Sequence, residues 1–334
     1  MTPCDINASV DNIYLLWEYP LKDREARLRL DCSLRTICFF NAGKRIFVFS
    51  NTLEARVIDH IDFNNNDVSI VRWSPASTVR DTPFEDKVSD GDSKDLGWGL
   101  FSDFFRLSCV YRWGGTYVDI DNICIREIPA MRNVLSRTYD PHSFEKVDTK
   151  LVPGELRDGP NKERYNHIPF RFRMDPLLNF EPRHRFLAEL IETGLAEYEP
   201  HVRTWQMLAG EVFMRDIEAG RRTVNLALLL VYLPDGRNCY EYSDYDKCLY
   251  GGEMCDMLIK NCPGIKHVGK YRTNRREVAE AVLRDVYREF PHACFFWAQT
   301  HYHFRPGFLG LVKNKVSNWI VKIILEEVAG RRGG

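Results

Sequence analysis

Residues 111–122 read YRWGGTYVDIDN, and how this stretch is read decides the fold. Two glycines stand where a helix would have to end, since glycine takes the positive φ that closes a helix. The run Thr116-Tyr117-Val118 then suits a buried strand, which closes on Asp119 and Asp121 with Ile120 between them. Two buried carboxylates so close are costly unless something positive sits between them. In open α/β sheets ligands bind outside the carboxyl ends of the strands, so the pair is expected at such an end. A hard divalent cation, Mg²⁺ or Mn²⁺, would offset their repulsion and take a few carboxylate oxygens besides phosphate and water. Both acids can reach one site only if the backbone bends.

Upstream, LGWGLFSDFFRLSCVYRW predicts a helix over about 97–113. Leu100, Phe101, Phe104, Phe105, Leu107 and Val110 cover most of its circumference, and a helix apolar nearly all round is buried. Asp103 and Arg106 stand three apart on one side of it. They form either a private ion pair or two arms of a cleft for a polyhydroxylated ligand, the carboxylate accepting and the guanidinium donating. Earlier still, NIYLLW (12–17), RIFVFSN (45–51) and 68–73 read as strands. A helix over about 21–40 and a short one over 54–61 separate them, and this alternation predicts a largely parallel sheet with helices on its faces. Residues 74–96 read as a long polar loop.

Downstream, 151–169 reads as a second loop, with helices near 185–198 and 204–219 and a strand over 224–232. The basic side chains Arg171, Arg173, Arg183 and Arg185, and again 270–276, read as solvated faces. The 334 residues carry a net charge of −1, so no global basic field points to nucleic acid. Ten cysteines are scattered; Cys248, Cys255 and Cys262 lie seven apart, but the glycines and proline around them argue against a zinc cluster. Neither a leader nor a membrane-spanning run is legible, so a cytoplasmic protein is the default. The stretch GLVKNKVSNWIVKIILEEV reads as a C-terminal amphipathic helix, either docked on the core or lying at a membrane surface.

The pattern Ser102-Asp103-x-x-Arg106 followed by Gly114-Gly115-x-Tyr117-x-Asp119-x-Asp121 resembles the sugar-binding DxD region of GT-A glycosyltransferases. The nearest groups are the Och1-like mannosyltransferases and the catalytic domains of clostridial glucosylating toxins. NIYLLW and NFEPRHRFLAELI resemble further segments of the same family. The resemblance implies a GT-A type nucleotide-sugar-binding fold, with a mostly parallel central sheet flanked by helices and with helical additions. It implies a single catalytic domain over 1–334: a nucleotide-sugar-binding half (1–130), an acceptor-side half (131–310) and the C-terminal helix (311–334).

By the same resemblance Trp17 would lie near the nucleotide base with its ring open to stacking. Asp103 and Arg106 would hold donor-sugar hydroxyls. Asp119 would contact the ribose or sugar and, with Asp121, the metal (Mn²⁺ or Mg²⁺). From the late segment HACFFWAQTHYHF, which carries Trp297, His301 and His303 would be candidates to touch metal or diphosphate. The implied activity is metal-dependent glycosyl transfer from a UDP- or GDP-sugar to a glycan or protein acceptor, with retention, in a bacterial or viral glycan-building enzyme or an exported effector. Two rivals remain at this stage: a haloacid-dehalogenase-like phosphotransferase, whose DxD also follows a strand, and a sugar-binding protein without catalysis.

Overall fold

The computed structural model describes residues 1–18, 24–59, 61, 63–88, 98–120, 122–139, 170–196, 205–221, 223–227, 230–232, 280, 283–284, 287, 294–297 and 316–330. Strands β1 (Asn12–Leu16), β2 (Arg45–Phe49) and β3 (Asp67–Val71) run parallel, Asn12 opposite Arg45 and Arg45 opposite Asp67. Strand β4 (Gly115–Tyr117) lies parallel on the other side of β1. Beyond it come β7 (Phe170–Phe180), antiparallel to β4, then β6 (Val134–Tyr139), antiparallel to β7, and β8 (Asn225–Ala227), parallel to β6. Among the described residues the order is β3-β2-β1-β4-β7-β6-β8. A second sheet joins β5 (Asn122–Cys124), β10 (Phe295–Trp297) and β9 (Leu230–Tyr232) in the order β5-β10-β9.

The helices are α1 (Arg24–Phe40), α2 (Pro75–Val79), α3 (Trp98–Trp113), α4 (Arg185–Ala196), α5 (Trp205–Glu218) and α6 (Val316–Gly330). Successive strand side chains point to opposite faces, and both faces of this sheet are covered. Ile13, Leu15 and Trp17 share a cluster with Leu30, Leu34 and Ile37 of α1. Tyr14, Phe47 and Phe49 share one with Phe104, Phe105, Val110 and Trp113 of α3. An α/β core covered on both sides explains why its strands read as continuous apolar runs.

Several boundaries differ from expectation. The run over 54–61 is a short 3₁₀ turn at Ala55–Val57 rather than a helix. The expected loop over 74–96 begins with α2, which Ser74 caps by accepting from the Ser77 amide, with Pro75 at the first helical position. That Ser-Pro-x-Ser signal is a recognisable helix start. The expected strand over 224–232 is two strands in different sheets. The C-terminal helix α6 packs against α1 and buries Ile324 and Val328. Ile324 and Val328 are thus covered by protein, and membrane contact through this helix is not supported. Among the described residues no helix is long and apolar enough to cross a membrane. The loop at 151–169, the spaced cysteines 248, 255 and 262 and the basic run 270–276 lie outside the described residues.

Candidate active site

Helix α3 ends where Gly114 (φ 70°) and Gly115 (φ 92°) turn the chain into β4. A Cβ on Gly115 would lie 2.3 Å from the Asn12 carbonyl oxygen, so only glycine lets β4 lie this close to β1. The amide of Val118 then donates to Tyr14 O at 2.9 Å, carrying the β1–β4 pairing one residue past the strand. Asp119 follows at the carboxyl edge, and its carbonyl accepts from the Asn122 amide at 3.0 Å.

Asp119 and the α3 residues meet on one face of the sheet. Arg106 Nη2 lies 3.4 Å from Asp119 Oδ1, and Arg106 Nε lies 3.4 Å from Asp103 Oδ1. Arg106 also donates to the Ser102 carbonyl at 3.3 Å and to Ser102 Oγ at 3.2 Å. Its guanidinium stands over the Tyr117 ring, 5.0 Å from the centroid, in cation–π range. Tyr117 Oη donates to the same Asp119 Oδ1 at 2.6 Å. The Arg106 side chain is 7% exposed, while Asp103 and Asp119 keep 28% and 25%. The cation is thus sunk beneath two carboxylates that reach solvent. Burial pushes the Asp103 carboxyl above its ordinary range; Arg106 opposes that shift and the charge of Asp119 adds to it.

Arg106 thus pairs with Asp103 of its own helix and also with Asp119 beyond β4. Tyr117 and Ser102, which stand in the quoted pattern but were given no role there, complete the set. The Tyr at two residues before Asp119, on the same strand face, was the available signal.

Other expected residues fall elsewhere. Trp17 is fully buried in the α1-side cluster, and its Nε1 donates to Thr52 Oγ1 at 3.1 Å. The expectation of an open stacking ring is corrected, because strand alternation turns Trp17 away from the α3 face. Asp121, His301 and His303 lie outside the described residues. The late segment nonetheless reaches this region: β10 pairs antiparallel with β5, Trp297 opposite Asn122.

Two observations bear on whether a divalent cation or diphosphate fits. Asp119 Oδ2 makes no hydrogen bond among the described residues, both partners of the carboxyl being on Oδ1. Asn122, directly after the acidic pair, is wholly buried with neither Oδ1 nor Nδ2 partnered, and such a group ordinarily finds a partner. Spare oxygen donors beside a second acid fit a hard cation with its phosphate and water. Among the described residues no three metal-ligating side chains gather.

An open α/β sheet thus gathers an acid–guanidinium–acid set at the carboxyl edge of its strands, as the resemblance to GT-A glycosyltransferases implies. Residues 29–140 match the family described as the glycosyltransferase sugar-binding region containing DXD motif. The match takes in Asp103, Arg106, Asp119 and Asp121, so this stretch of the chain is similar to the sugar-binding region of glycosyltransferases. Three solved structures are similar at a distance. The PaToxG glycosyltransferase is 11% identical over 64% of this chain and 71% of its own, with a TM-score of 0.38. The WbbM bifunctional glycosyltransferase is 14% identical over 70% and 41%, with a TM-score of 0.38. The galactosyltransferase LgtC, in complex with donor and acceptor sugar analogues, is 10% identical over 66% and 75%, with a TM-score of 0.35. Among curated proteins none matches the chain.

Proposed function

We propose that the chain transfers a glycosyl unit from a UDP- or GDP-sugar to a hydroxyl of a glycan or protein acceptor, with retention at the anomeric carbon. The observation that carries this reading is Arg106 bridging Asp103 and Asp119 at the carboxyl edge of β4. Asp103 and Asp119 present acceptors to donor-sugar hydroxyls, and Arg106 fixes both carboxylates from below. Tyr117 holds Asp119 Oδ1 in place and leaves Oδ2 facing the ligand. Asp119 and Asp121 are the residues that would hold Mn²⁺ or Mg²⁺. Bound there, the ion would neutralise charge on the departing diphosphate. Positioning of the sugar and electrostatics at the leaving group then supply most of the acceleration. We assign no side chain as nucleophile or base, and take residues 1–130 as the donor half of one catalytic domain.

Among the described residues Asp119 follows the fourth strand, not the first. A haloacid-dehalogenase-like phosphotransferase would carry its acid on the strand that opens the domain, which disfavours that rival. The test is incubation with a panel of UDP- and GDP-sugars plus Mn²⁺ or Mg²⁺, reading nucleoside diphosphate release. Turnover with one donor, lost in Asp121→Asn with the fold intact, is expected. No hydrolysis, transfer or metal-dependent binding with any donor would sink the reading. Metal-independent sugar binding without turnover would return the chain to a non-catalytic sugar-binding role.

A further inference from the structure

Helix α1 and strand β5 hold each other in register just after the acidic turn. Thr36 Oγ1 accepts from the Cys124 amide at 3.0 Å. Further along, Asn41 Oδ1 accepts from the Ile128 amide at 2.8 Å, and Asn41 Nδ2 reaches Cys124 Sγ at 3.4 Å. The helix and the chain from Cys124 to Ile128 therefore advance in the same sense. Ser33 stands one helical turn before Thr36, and Asn122 stands two residues before Cys124 on the same face of β5. Three helical residues rise about 4.5 Å and two strand residues about 6.6 Å, so Ser33 and Asn122 come next along this interface. Both are wholly buried. Yet Ser33 Oγ, Asn122 Oδ1 and Asn122 Nδ2 have no hydrogen-bond partner among the described residues.

We propose that Ser33 and Asn122 share an internal water molecule, and that through it α1 holds the acidic turn, which makes Asn122 a positioning residue for Asp119 and Asp121. The positioning role rests on the donor reading above; the water does not.

Buried polar groups are nearly always hydrogen-bonded, to protein or to ordered water. A buried water takes two to four polar partners, and here three atoms from two elements share one interface. The hydroxyl both donates and accepts, and the carboxamide offers an acceptor and two donors. Neither residue carries a charge, which favours a neutral ligand that donates and accepts, as water does.

The link to the site runs through the backbone. The Asn122 amide donates to the Asp119 carbonyl at 3.0 Å, and Asp121 lies between them in the chain. Tyr117 packs in the α3-side cluster, whereas Val118 and Ile120 pack in the α1-side one. The Asp119 carboxylate is accordingly fixed from the α3 side, by Arg106 and Tyr117. Its backbone is fixed from the α1 side, by Asn122.

The experiment is a double-mutant cycle on Ser33→Ala and Asn122→Leu in the full chain. It reads Mn²⁺ affinity by electron paramagnetic resonance with UDP or GDP present, and stability by urea unfolding. Replacing a residue that orients metal ligands from behind weakens metal binding by about tenfold or more, and Asn122→Leu should do so. Ser33→Ala lies on another element from the acids and should weaken Mn²⁺ by about threefold, through the shared water alone. The double variant should bind Mn²⁺ no more weakly than Asn122→Leu, because the water is already lost. A crystal structure of the wild type should show an ordered water hydrogen-bonded to Ser33 Oγ and the Asn122 carboxamide. Unchanged Mn²⁺ affinity in both single variants, with only the urea midpoints lowered, would overturn the positioning role. Strictly additive losses, or no water at that place, would overturn the sharing. Should Asn122→Leu fail to fold, Ser33→Ala decides the positioning role by itself. Failure of the wild type to bind Mn²⁺ with either nucleotide would overturn the donor reading and the positioning role together, and the crystal structure would still decide the water.

Discussion

Replacing Arg106 by methionine keeps most of the stem and removes the charge that lies between Asp103 and Asp119. In the wild type each aspartate has a guanidinium nitrogen at 3.4 Å, and the same group stands over Tyr117. Removing one partner of a buried ion pair costs about 3–5 kcal/mol, because a charge is left uncompensated. Here the aspartates keep 28% and 25% exposure, and solvent returns part of that cost. The expected loss at neutral pH is about 2 kcal/mol.

The pH dependence has a definite sign. Burial already holds the folded Asp103 carboxyl above the ordinary carboxylate range, against the pull of Arg106. Without Arg106 it rises further. A carboxyl raised in the folded state stabilises the fold at low pH and loses that contribution as pH climbs through the window between the unfolded and folded values. The deficit of Arg106→Met should accordingly be full at neutral pH and shrink as pH falls toward 3.8. Urea unfolding followed by tryptophan fluorescence, at neutral pH and at about pH 4, measures both quantities. A deficit below about 0.5 kcal/mol at neutral pH, or one that stays constant or grows on acidification, would refute the reasoning.

Other substitutions separate space from chemistry. Gly115→Ala should cost about 3 kcal/mol or more, since its methyl would sit 2.3 Å from the Asn12 carbonyl oxygen. Gly43→Ala, at φ 78° with nothing within 4 Å, should cost only about 1 kcal/mol; equal urea midpoints for the two would contradict the close β1–β4 contact. Tyr117→Phe removes the 2.6 Å bond to Asp119 and should lower stability by about 1 kcal/mol. It should also raise the KM for the donor more than it lowers kcat, and unchanged kinetics and stability would remove Tyr117 as the holder of Asp119.

The first half of the fold was legible because each element there declares itself locally. The apolar runs of β1 and β2, the fully apolar α3 and the glycine pair all mark their own boundaries. Strand β7 was missed although FRFR at 170–173 alternates as a strand should. Its pairing with β6 jumps from Leu135–Leu177 to Ser136–Arg173, so residues 174–176 bulge out around Pro176 and break the pattern. At the site, Asp103 and Arg106 were legible from helical spacing, and Asp119 from its place after the glycines. Trp17 was misread because a strand buried on both faces gives no sign of which face meets the helix with the acids. The Glu18–Trp73 hydrogen bond was not legible because its two partners stand 55 positions apart.

Strand β4 is only three residues long, and what flanks it has a consequence for how the chain acquires its site. One neighbour, β1, is made before it; the other, β7, is translated more than fifty residues after it. The stretch matching the sugar-binding region ends at residue 140, short of β7. A nascent chain that has just emitted the acidic turn would still carry β4 with one edge bare. The site therefore closes late in synthesis, and a fragment stopped at residue 140 holds the described acids and their arginine without the strand that fixes them.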